Sequence, residues 1–229
     1  MPSACAGART ADGAGDVMTV LDPELSGRRV RLEPLQSRHA PGLAAAAAAD
    51  PELYRMTRVP FSEDAARQYV AAAAAARDAG TAAPFAVVRL ADETVIGSTR
   101  LFDLEQWAWP EGHPRHGHQG PDTCEIGHTW LAASAIRTGV NTEMKRLMLT
   151  LAFETWEVQS VCFHTDARNE RSRQALARIG ARYEGTLRSH RLAADGRPRD
   201  SARFAITAAD WPAVRAHLAE LSRDPVLAC

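Results

Sequence analysis

The sequence predicts one domain of the α+β class, in which helices flank a mixed β-sheet. Polar and apolar residues alternate over several short segments, as is typical of half-buried strands. Two alanine-rich runs favour helices, because alanine has the highest helix propensity of the amino acids. A strand-like segment, a tight loop and a long apolar helix follow one another in the middle of the chain. Together these patterns predict the order β-α-α-β-β-β-α-β-α-β-β-α.

In the first half of the chain the patterns predict one strand, two helices and a hairpin. Residues 29–35 alternate in polarity, which indicates a strand. The alanine-rich helices are expected over residues 37–49 and 62–78. Residues 85–90 and 94–100 are largely apolar segments that flank a short polar turn, and this spacing predicts a hairpin.

In the second half, strands alternate with helices before an added C-terminal helix. Asn169 and Asp210 are predicted N-caps, and Gly180 is the predicted stop of the helix that Asn169 begins. The predicted strands cover residues 124–131, 160–165, 181–188 and 201–207, and the predicted helices cover residues 139–156, 169–180 and those from 210 onward.

Composition narrows the kind of protein this chain can be. Its 229 residues are enough for one well-packed domain. The formal net charge of −1, with 24% charged residues, indicates neither a nucleic-acid partner nor a membrane partner. Apolar runs are shorter than the roughly 20 residues that span a bilayer, and the N-terminus lacks a signal-peptide pattern, so we expect a cytoplasmic protein. We expect a flexible leader at residues 1–27, the domain at 28–222 and a short tail at 223–229.

The cysteines and clustered histidines indicate no metal site. The cysteines are scattered without a Cys-x-x-Cys spacing, so disulfides and a cysteine zinc site are not expected, and Cys124 and Cys162 are predicted to be buried in strands. His113, His116 and His118 are close in sequence, but they lie in a Gly/Pro-rich loop without a fourth ligand. Roles at the surface or facing the substrate are expected for them.

The turn at residues 137–142 is predicted to bind phosphate. It precedes the long apolar helix, and the unpaired N–H groups and positive dipole end of a helix N-terminus attract anions. Gly127, in the strand before the turn, favours a bulge or the close approach of a ligand.

The motifs around this turn resemble those of the GNAT superfamily of acetyl-coenzyme A-dependent N-acetyltransferases, and most closely its RimJ/RimL-like branch. Residues 141–143 read Asn-Thr-Glu, which is similar to the Ala-Thr-Glu-Ala that opens the family's cofactor helix. Residues 169–172 read Asn-x-x-Ser and residues 179–180 read Ile-Gly, similar to the family's Asn-x-x-Ser and Leu-Gly-Phe segment. The resemblance spans about residues 29–218 and implies the strongly twisted mixed sheet of the GNAT fold.

The resemblance implies acetyl-CoA as co-substrate and no metal. The family's phosphate loop usually reads Gln/Arg-x-x-Gly-x-Gly/Ala, whereas this chain has Ser134, Arg137 and Gly139 at the matching positions, so only the last glycine fits. The Leu131 N–H is expected to donate to the developing oxyanion. The implied cofactor-binding residues are Trp130, Leu131, Arg137, Thr138, Gly139, Val140, Asn141, Thr142 and Asn169.

The same resemblance implies two catalytic residues, Glu125 and Ser172. GNAT enzymes often place a carboxylate at the position of Glu125 to remove the proton of the amine, and His128 or a water molecule is the alternative base. Ser172 is expected to donate a hydrogen bond to the leaving thiolate. The tyrosine acid of many family members is replaced by Leu176, and Tyr183 is expected to lie in the core with a polar tip.

The implied function is acetyl transfer from acetyl-CoA to a primary amine by direct attack in a ternary complex, with a small-molecule amine such as a metabolite or antibiotic as acceptor. A peptide or protein N-terminus is an alternative acceptor, and a non-catalytic acyl-CoA-binding module is an alternative of another class. A homodimer is compatible with each of these functions. The long segment at residues 103–122 contains Trp107 and Trp109 and is expected to act as a substrate lid, because long loops are often functional.

Overall fold

The computed structural model describes residues 23–222, and its centre is one mixed β-sheet of eight strands. The strands are β1 (Leu25–Ser26), β2 (Val30–Pro34), β3 (Ala82–Arg89), β4 (Thr94–Glu105), β5 (Thr123–Leu131), β6 (Ser160–Asp166), β7 (Arg182–Leu192) and β8 (Pro198–Thr207).

Five α-helices connect these strands in the described part of the chain. They are α1 (Ala40–Ala48), α2 (Glu63–Asp78), α3 (Val140–Thr150), α4 (Glu170–Arg178) and α5 (Trp211–Leu221). Short 3-10 turns cover Ser37–His39, Pro51–Tyr54 and Ala133–Ala135, and a π-turn over Leu151–Thr155 continues α3. No helix within residues 23–222 has the length and apolar character needed to cross a membrane.

The strand order across the sheet is β1-β2-β3-β4-β5-β6-β8-β7. All neighbouring strands are antiparallel except β5 and β6, which run parallel. β3 is buried along nearly its whole length, as is typical of a strand covered on both faces. The helices flank this mixed sheet and α5 follows its last strand, so the predicted α+β class is confirmed.

The parallel strands β5 and β6 pair over only a short distance before they separate. Residues 123–125 lie opposite residues 160–162, and no further pairing joins the two strands beyond Glu125 in the described structure. β5 also contains a bulge, because His128 and Thr129 together oppose a single residue of β4. The backbone of His128 has a φ of +49°, and a bulge of this kind increases the local twist of the strand.

One face of the sheet packs on α3. Met144 and Met148 of α3 are fully buried and form a continuous core with Phe163 of β6 and with Trp156. Glu143 of the same helix accepts hydrogen bonds from the backbone N–H groups of residues 28–29. The start of β2 is therefore fastened to the helix that follows the predicted phosphate turn.

Several details differ from the sequence predictions. Leu25–Ser26 pairs with β2, so part of the predicted leader belongs to the sheet, while residues 1–22 and 223–229 lie outside the described residues. Tyr183 is 51% exposed instead of buried, because β7 is an edge strand. Cys124 is buried as predicted, but Cys162 is partly exposed.

The long segment between β4 and β5 is anchored by the carboxylate of Asp122. Asp122 is fully buried and accepts hydrogen bonds from the Trp107 backbone N–H at 2.7 Å, Trp109 Nε1 at 2.8 Å and Arg115 Nε at 3.1 Å. Burial by itself raises the pKa of Asp122, but the hydrogen bonds and the Arg115 charge outweigh burial and hold the pKa below its usual range. The segment is therefore fixed to the body of the protein.

Replacing Asp122 with alanine should lower the free energy of unfolding by about 3 kcal/mol at neutral pH, because a buried guanidinium and two further donors lose their acceptor. Urea denaturation measures this loss. Glu52→Ala removes an exposed ion pair with Arg55 and should change stability by less than about 1 kcal/mol.

The pH dependence gives this prediction a second readout. A carboxylate with a lowered folded pKa stabilises the protein above its unfolded pKa, and the stabilisation is lost as the pH falls through the folded pKa. The difference between wild type and Asp122→Ala should therefore shrink in acid. If Asp122→Ala and Glu52→Ala were equally stable, the segment would not be anchored through Asp122.

Candidate active site

A cleft of about 1050 Å³ opens where β5 and β6 separate. Its walls come from these strands, the turn before α3, the start of α4 and the β7–β8 hairpin. Binding sites for small molecules are commonly clefts of this size. The predicted cofactor-binding residues that line it are Trp130, Leu131, Arg137, Gly139, Asn141, Thr142 and Asn169.

Thr138 and Val140, the other two predicted cofactor-binding residues, are not among the residues that line the cleft. Thr138 Oγ1 donates to the Ala135 carbonyl at 2.7 Å, and Val140 is buried. Both residues border a separate groove with Arg28 and Arg29. Successive side chains in a turn point in different directions, so closeness in sequence did not place them on the cofactor side.

The turn before α3 has the geometry of an anion site. Arg137 and Gly139 both have left-handed backbone, with φ of +61° and +82°. A Cβ atom at Gly139 would lie 3.6 Å from the Arg29 guanidinium, which pairs with Glu143 and borders the separate groove. The N–H groups at the start of α3 and the Arg137 side chain, which lines the cleft, together favour a bound phosphate.

The backbone of Leu131 faces the opening between the strands. The Ala132 N–H donates to the Ile96 carbonyl at 2.7 Å, which makes Leu131 and Gly97 a non-hydrogen-bonded pair of the antiparallel ladder. The N–H and carbonyl of such a residue point away from the partner strand. The carbonyl of Leu131 accepts a hydrogen bond from Tyr54 at 3.0 Å, so its N–H is the group that remains for a ligand.

Glu125 lies at the apex of the cleft, where the pairing of β5 and β6 ends. It is 1% exposed and accepts hydrogen bonds from His164 Nδ1 at 2.8 Å and from two nitrogens of Arg191 at 3.0 and 2.8 Å. Arg191 also pairs with Asp103 at 2.9 Å. Burial by itself raises the pKa of Glu125, but the bonds from His164 and Arg191 outweigh it and lower the pKa. Glu125 is therefore an ionised carboxylate at neutral pH.

His164 is oriented by Glu125. The hydrogen bond to the carboxylate places the imidazole proton on Nδ1, which leaves Nε2 as an acceptor. His164 Nε2 is buried and has no hydrogen-bond partner within residues 23–222, and the ring of His190 lies 4.6 Å from the His164 ring. A carboxylate that holds one ring nitrogen while the other stays free is the arrangement of a histidine base.

The bulge in β5 brings His128 to the same side of the strand as Glu125. The ring of His128 lies 4.9 Å from that of Phe102, and Phe102 is directly opposite Glu125 in the sheet. His128 is solvent-accessible within the concave cleft, where desolvation and the charge of Arg100 lower its pKa to about 4. His128 is therefore neutral at pH 7 and a weak base.

The start of α4 closes another wall of the cleft. Asn169 caps the helix, because its side-chain oxygen accepts the Ser172 N–H at 3.1 Å. Asn169, Ser172 and Leu176 all line the cleft. The N-cap role of Asn169 leaves its amide nitrogen available to a ligand.

One group of side chains in the described structure has metal-ligand spacing. The ligand atoms of Glu125, Cys162 and His164 lie within 4.8 Å of one another. The Arg191 guanidinium occupies both oxygens of Glu125, and burial raises the pKa of the Cys162 thiol to about 12. Metal binding requires a thiolate and free carboxylate oxygens, so these surroundings favour the hydrogen-bonded cluster.

Comparison with known proteins identifies the family of this chain. The model of the acetyltransferase (GNAT) domain matches residues 29–182. The chain belongs to the GNAT superfamily. A proposed acetyltransferase from T. thermophilus is 32% identical, with a TM-score of 0.70, and the match covers 86% of this chain and 95% of that chain.

Two further structures have the same fold as this GNAT protein. A GCN5-related N-acetyltransferase from Brucella melitensis is 25% identical, with a TM-score of 0.73 and coverage of 88% of this chain and 86% of that chain. RimJ from Mycobacterium smegmatis, in complex with CoA-disulfide, is 21% identical, with a TM-score of 0.74 and coverage of 89% and 97%. A search of curated proteins returned no match.

Two side chains of this GNAT protein that bond to Glu125, those of His164 and Arg191, were not among the predicted site residues. The sequence contained a weak indication that His164 lies near Glu125. Cys162 is directly opposite Glu125 on the parallel strand β6, and His164, two residues later, points to the same face of the sheet. The sequence contained no indication for Arg191, since it reaches Glu125 from β7, 66 residues away along the chain.

Most of the segment predicted to act as a substrate lid lies outside the cleft. None of residues 107–118 lines the cleft, whereas Asp103, the first residue of the segment, and Phe102 before it do. Asp122 holds the segment at the start of β5. The cleft opens toward the other end of β5, beyond the residues that pair with β6. In this structure residues 107–118 do not cover the cleft, and the lid role stays a prediction.

Replacing Arg191 with leucine should lower the free energy of unfolding by about 3 kcal/mol at neutral pH, because Glu125 would remain buried and ionised without its guanidinium partner. Denaturation as a function of pH measures the effect. The deficit should shrink as the pH falls through the lowered pKa of Glu125, since a protonated carboxyl needs no counter-charge.

Arg203→Leu is the matched control for Arg191→Leu. Arg203 pairs with Glu184 where both side chains are about two-fifths exposed, so its loss should change stability by less than about 1 kcal/mol. A deficit of Arg191→Leu that stayed constant from neutral to acid pH would contradict the electrostatic role given to Arg191.

Proposed function

We propose that this GNAT protein is an N-acetyltransferase that moves the acetyl group of acetyl-CoA to a primary amine by direct attack in a ternary complex. The supporting observation is the cleft between β5 and β6, which joins an anion-binding turn at one end to the Glu125–His164 pair at its apex. A thioester attached to a long phosphorylated arm matches this combination of sites. Its phosphates would lie at the start of α3 and its carbonyl near the apex.

Backbone groups of β5 would position the donor. The Leu131 N–H points into the opening, so it can donate to an amide of the pantetheine arm or to the oxyanion that forms at the thioester carbon. Arg137, Gly139, Asn141 and Thr142 line the cleft near the start of α3 and would surround the phosphates, and Asn169 would reach the arm from α4. Thr138 and Val140 would contribute through backbone N–H groups alone.

Proton transfer at the apex involves Glu125 together with His164. The predicted role of Glu125 as the direct base remains a proposal, but its oxygens are occupied by three hydrogen bonds and its pKa is lowered. The free Nε2 of His164 is the better acceptor for the amine proton, and Glu125 then stabilises the imidazolium that results. His128, with a pKa near 4, is the weaker alternative.

A small-molecule amine remains the proposed acceptor, with a peptide or protein N-terminus as the alternative. The tip of the β7–β8 hairpin approaches the loop before α2, where Arg58 donates to the Ala193 carbonyl at 3.1 Å. Arg58 and the neighbouring hairpin residues Leu192 and Ala194 line the cleft, so this contact closes part of its wall, which supports a compact amine. The cytoplasmic location and the homodimer also remain predictions.

A thiol-release assay with acetyl-CoA and a panel of small amines and N-terminal peptides tests the proposal. Release of CoA with small amines supports the proposed acceptor, and release with peptides alone supports the alternative. Binding of acetyl-CoA with no release for any acceptor would favour the non-catalytic module.

Replacing Gly139 with alanine should weaken acetyl-CoA binding about tenfold or more. Alanine strains the left-handed backbone that Gly139 adopts and so displaces the N–H groups that face the phosphates. Calorimetric titration measures the affinity. Gly196→Ala is the matched control, because Gly196 has a φ of +79° in the β7–β8 turn, far from the phosphate position. Equal affinities for the two folded variants would remove the turn from the cofactor site.

Replacing His164 with glutamine should lower turnover roughly 10²-fold at neutral pH while leaving acetyl-CoA affinity nearly unchanged, since a general base contributes about this much. Glu125→Gln should cause a similar loss, and both losses should shrink at high pH, where more of the acceptor is already a free amine. Steady-state kinetics over a pH range measures these effects.

Cys162→Ala is the control for this pair of variants. Cys162 borders Glu125 on the neighbouring strand but makes no hydrogen bond to it. Wild-type turnover in Cys162→Ala together with a large loss in His164→Gln would support the proton-transfer role. Wild-type turnover of His164→Gln at every pH would exclude His164 as the base.

A further inference from the structure

The chain contains a single lysine, Lys145, beside 26 arginines. Lysine and arginine are both cations when solvated, but they respond differently to burial. Arginine remains charged at every accessible pH, whereas a buried lysine readily gives up its proton. The position of the one lysine therefore indicates where the protein needs an amine that can change its charge.

Lys145 lies inside the cleft and not on the surface. It occupies the second turn of α3 on the face that packs against the sheet, and it is 5% exposed. Its ammonium donates a hydrogen bond to Thr129 Oγ1 at 3.0 Å and lies 5.5 Å from the centre of the Phe163 ring. Thr129 belongs to β5 and Phe163 to β6, so the ammonium sits in the wedge between the separating strands.

No carboxylate balances this buried charge within the described residues. The contacts of Lys145 Nζ are a neutral hydroxyl and an aromatic ring, and no acidic oxygen lies within 4.0 Å. Desolvation lowers the pKa of Lys145 to about 7, and Glu125, on the other face of β5, is the charged group whose field opposes that shift. Such a lysine destabilises the fold at neutral pH, because its pKa in the unfolded chain is about 10.4.

Lys145 lies on the α3 face of the separating strands, and His164, the proposed base, lies on the opposite face. Side chains alternate along a strand, so Phe163 and the ammonium beside it lie on the α3 face of β6, while Cys162 and His164 lie on the other. In the proposed reaction the amine acceptor and the group that takes its proton would occupy the His164 side. A group on the α3 side can instead reach the sulfur of a thioester that enters between the strands.

We propose that Lys145 is the acid that protonates the leaving thiolate of coenzyme A, an inference that rests on the acetyl-transfer function proposed above. The amine nitrogen bonds to the thioester carbon, and one of its protons passes to His164. The carbon–sulfur bond breaks with its electron pair on sulfur. Lys145 gives a proton to that sulfur and later regains one from water.

The acidity of Lys145 suits it to this step better than its neighbours in the cleft. An ammonium with a pKa near 7 transfers a proton readily to a thiolate, since free thiols have pKa values of about 8.5. Ser172, the donor predicted from sequence, is too weak an acid to deliver a proton fully and can supply a hydrogen bond alone. Leu176 offers no acidic group on that wall of the cleft.

The first test uses coenzyme A binding, which requires no acceptor. Because the chain has one lysine, labelling with ¹³Cε-lysine gives one NMR signal whose shift reports the charge of Lys145 directly. We expect a midpoint near pH 7 in the free protein. Coenzyme A should raise this midpoint by about one unit, through the bound sulfur, whereas desulfo-coenzyme A should not.

The second test uses kinetics of Lys145→Met and Lys145→Arg. Turnover of Lys145→Met should fall roughly 10²-fold with little change in the acceptor KM. Wild-type kcat should decline as the pH rises through the pKa of Lys145, because the acid form is lost, and this decline should be absent in both variants. Lys145→Met should be at least as stable as wild type in urea, so loss of activity would not reflect unfolding.

The outcomes separate this proposal from the function on which it rests. If the protein bound neither coenzyme A nor its desulfo analogue, the proposed function itself would fail. Equal Lys145 midpoints with both ligands, or wild-type kcat and pH profile in Lys145→Met, would overturn the role of Lys145 alone. Loss of succinyl transfer with retention of acetyl transfer in Lys145→Met would assign Lys145 to recognition of an acidic acyl chain instead.

Discussion

The separation of β5 and β6 is the constraint on which the rest of the structure depends. Parallel pairing stops at Glu125, and the His128 bulge in β5 turns the strand away from its neighbour. Backbone groups that a continuous sheet would satisfy internally are thereby directed into a cleft, and the N–H of Leu131 is one of them. Unpaired backbone groups need partners, so a sheet opened in this way is prepared to pair with an extended ligand.

The open wedge also determines where charge can be buried. On one side, the Glu125 carboxylate is compensated by Arg191 and His164, so its charge is retained despite burial. On the other side, the Lys145 ammonium has a neutral partner, and its charge is held weakly. The two faces of the same pair of strands therefore differ in their proton chemistry, which is what a reaction that removes a proton at nitrogen and adds one at sulfur requires.

Many elements of the fold followed directly from local patterns in the sequence. The alanine runs formed α1 and α2, and the helix after Asn169 formed with Asn169 as its N-cap. The short β1, the extension of β4 and the exposure of Tyr183 were not predictable in this way. Each depends on a neighbouring strand or on an edge position in the sheet, which no local pattern reports.

By itself the sequence determined the family and the order of the elements after β1, because these depend on periodicity and on motifs within a few residues. Tertiary structure alone decided the partners of Glu125, the inward placement of Lys145 and the exclusion of the Trp107–His118 segment from the cleft. These facts depend on contacts between residues far apart in the chain, above all the reach of Arg191 from β7 to β5. Such contacts arise only when the chain has folded, because sequence distance does not constrain which side chains meet across a twisted sheet.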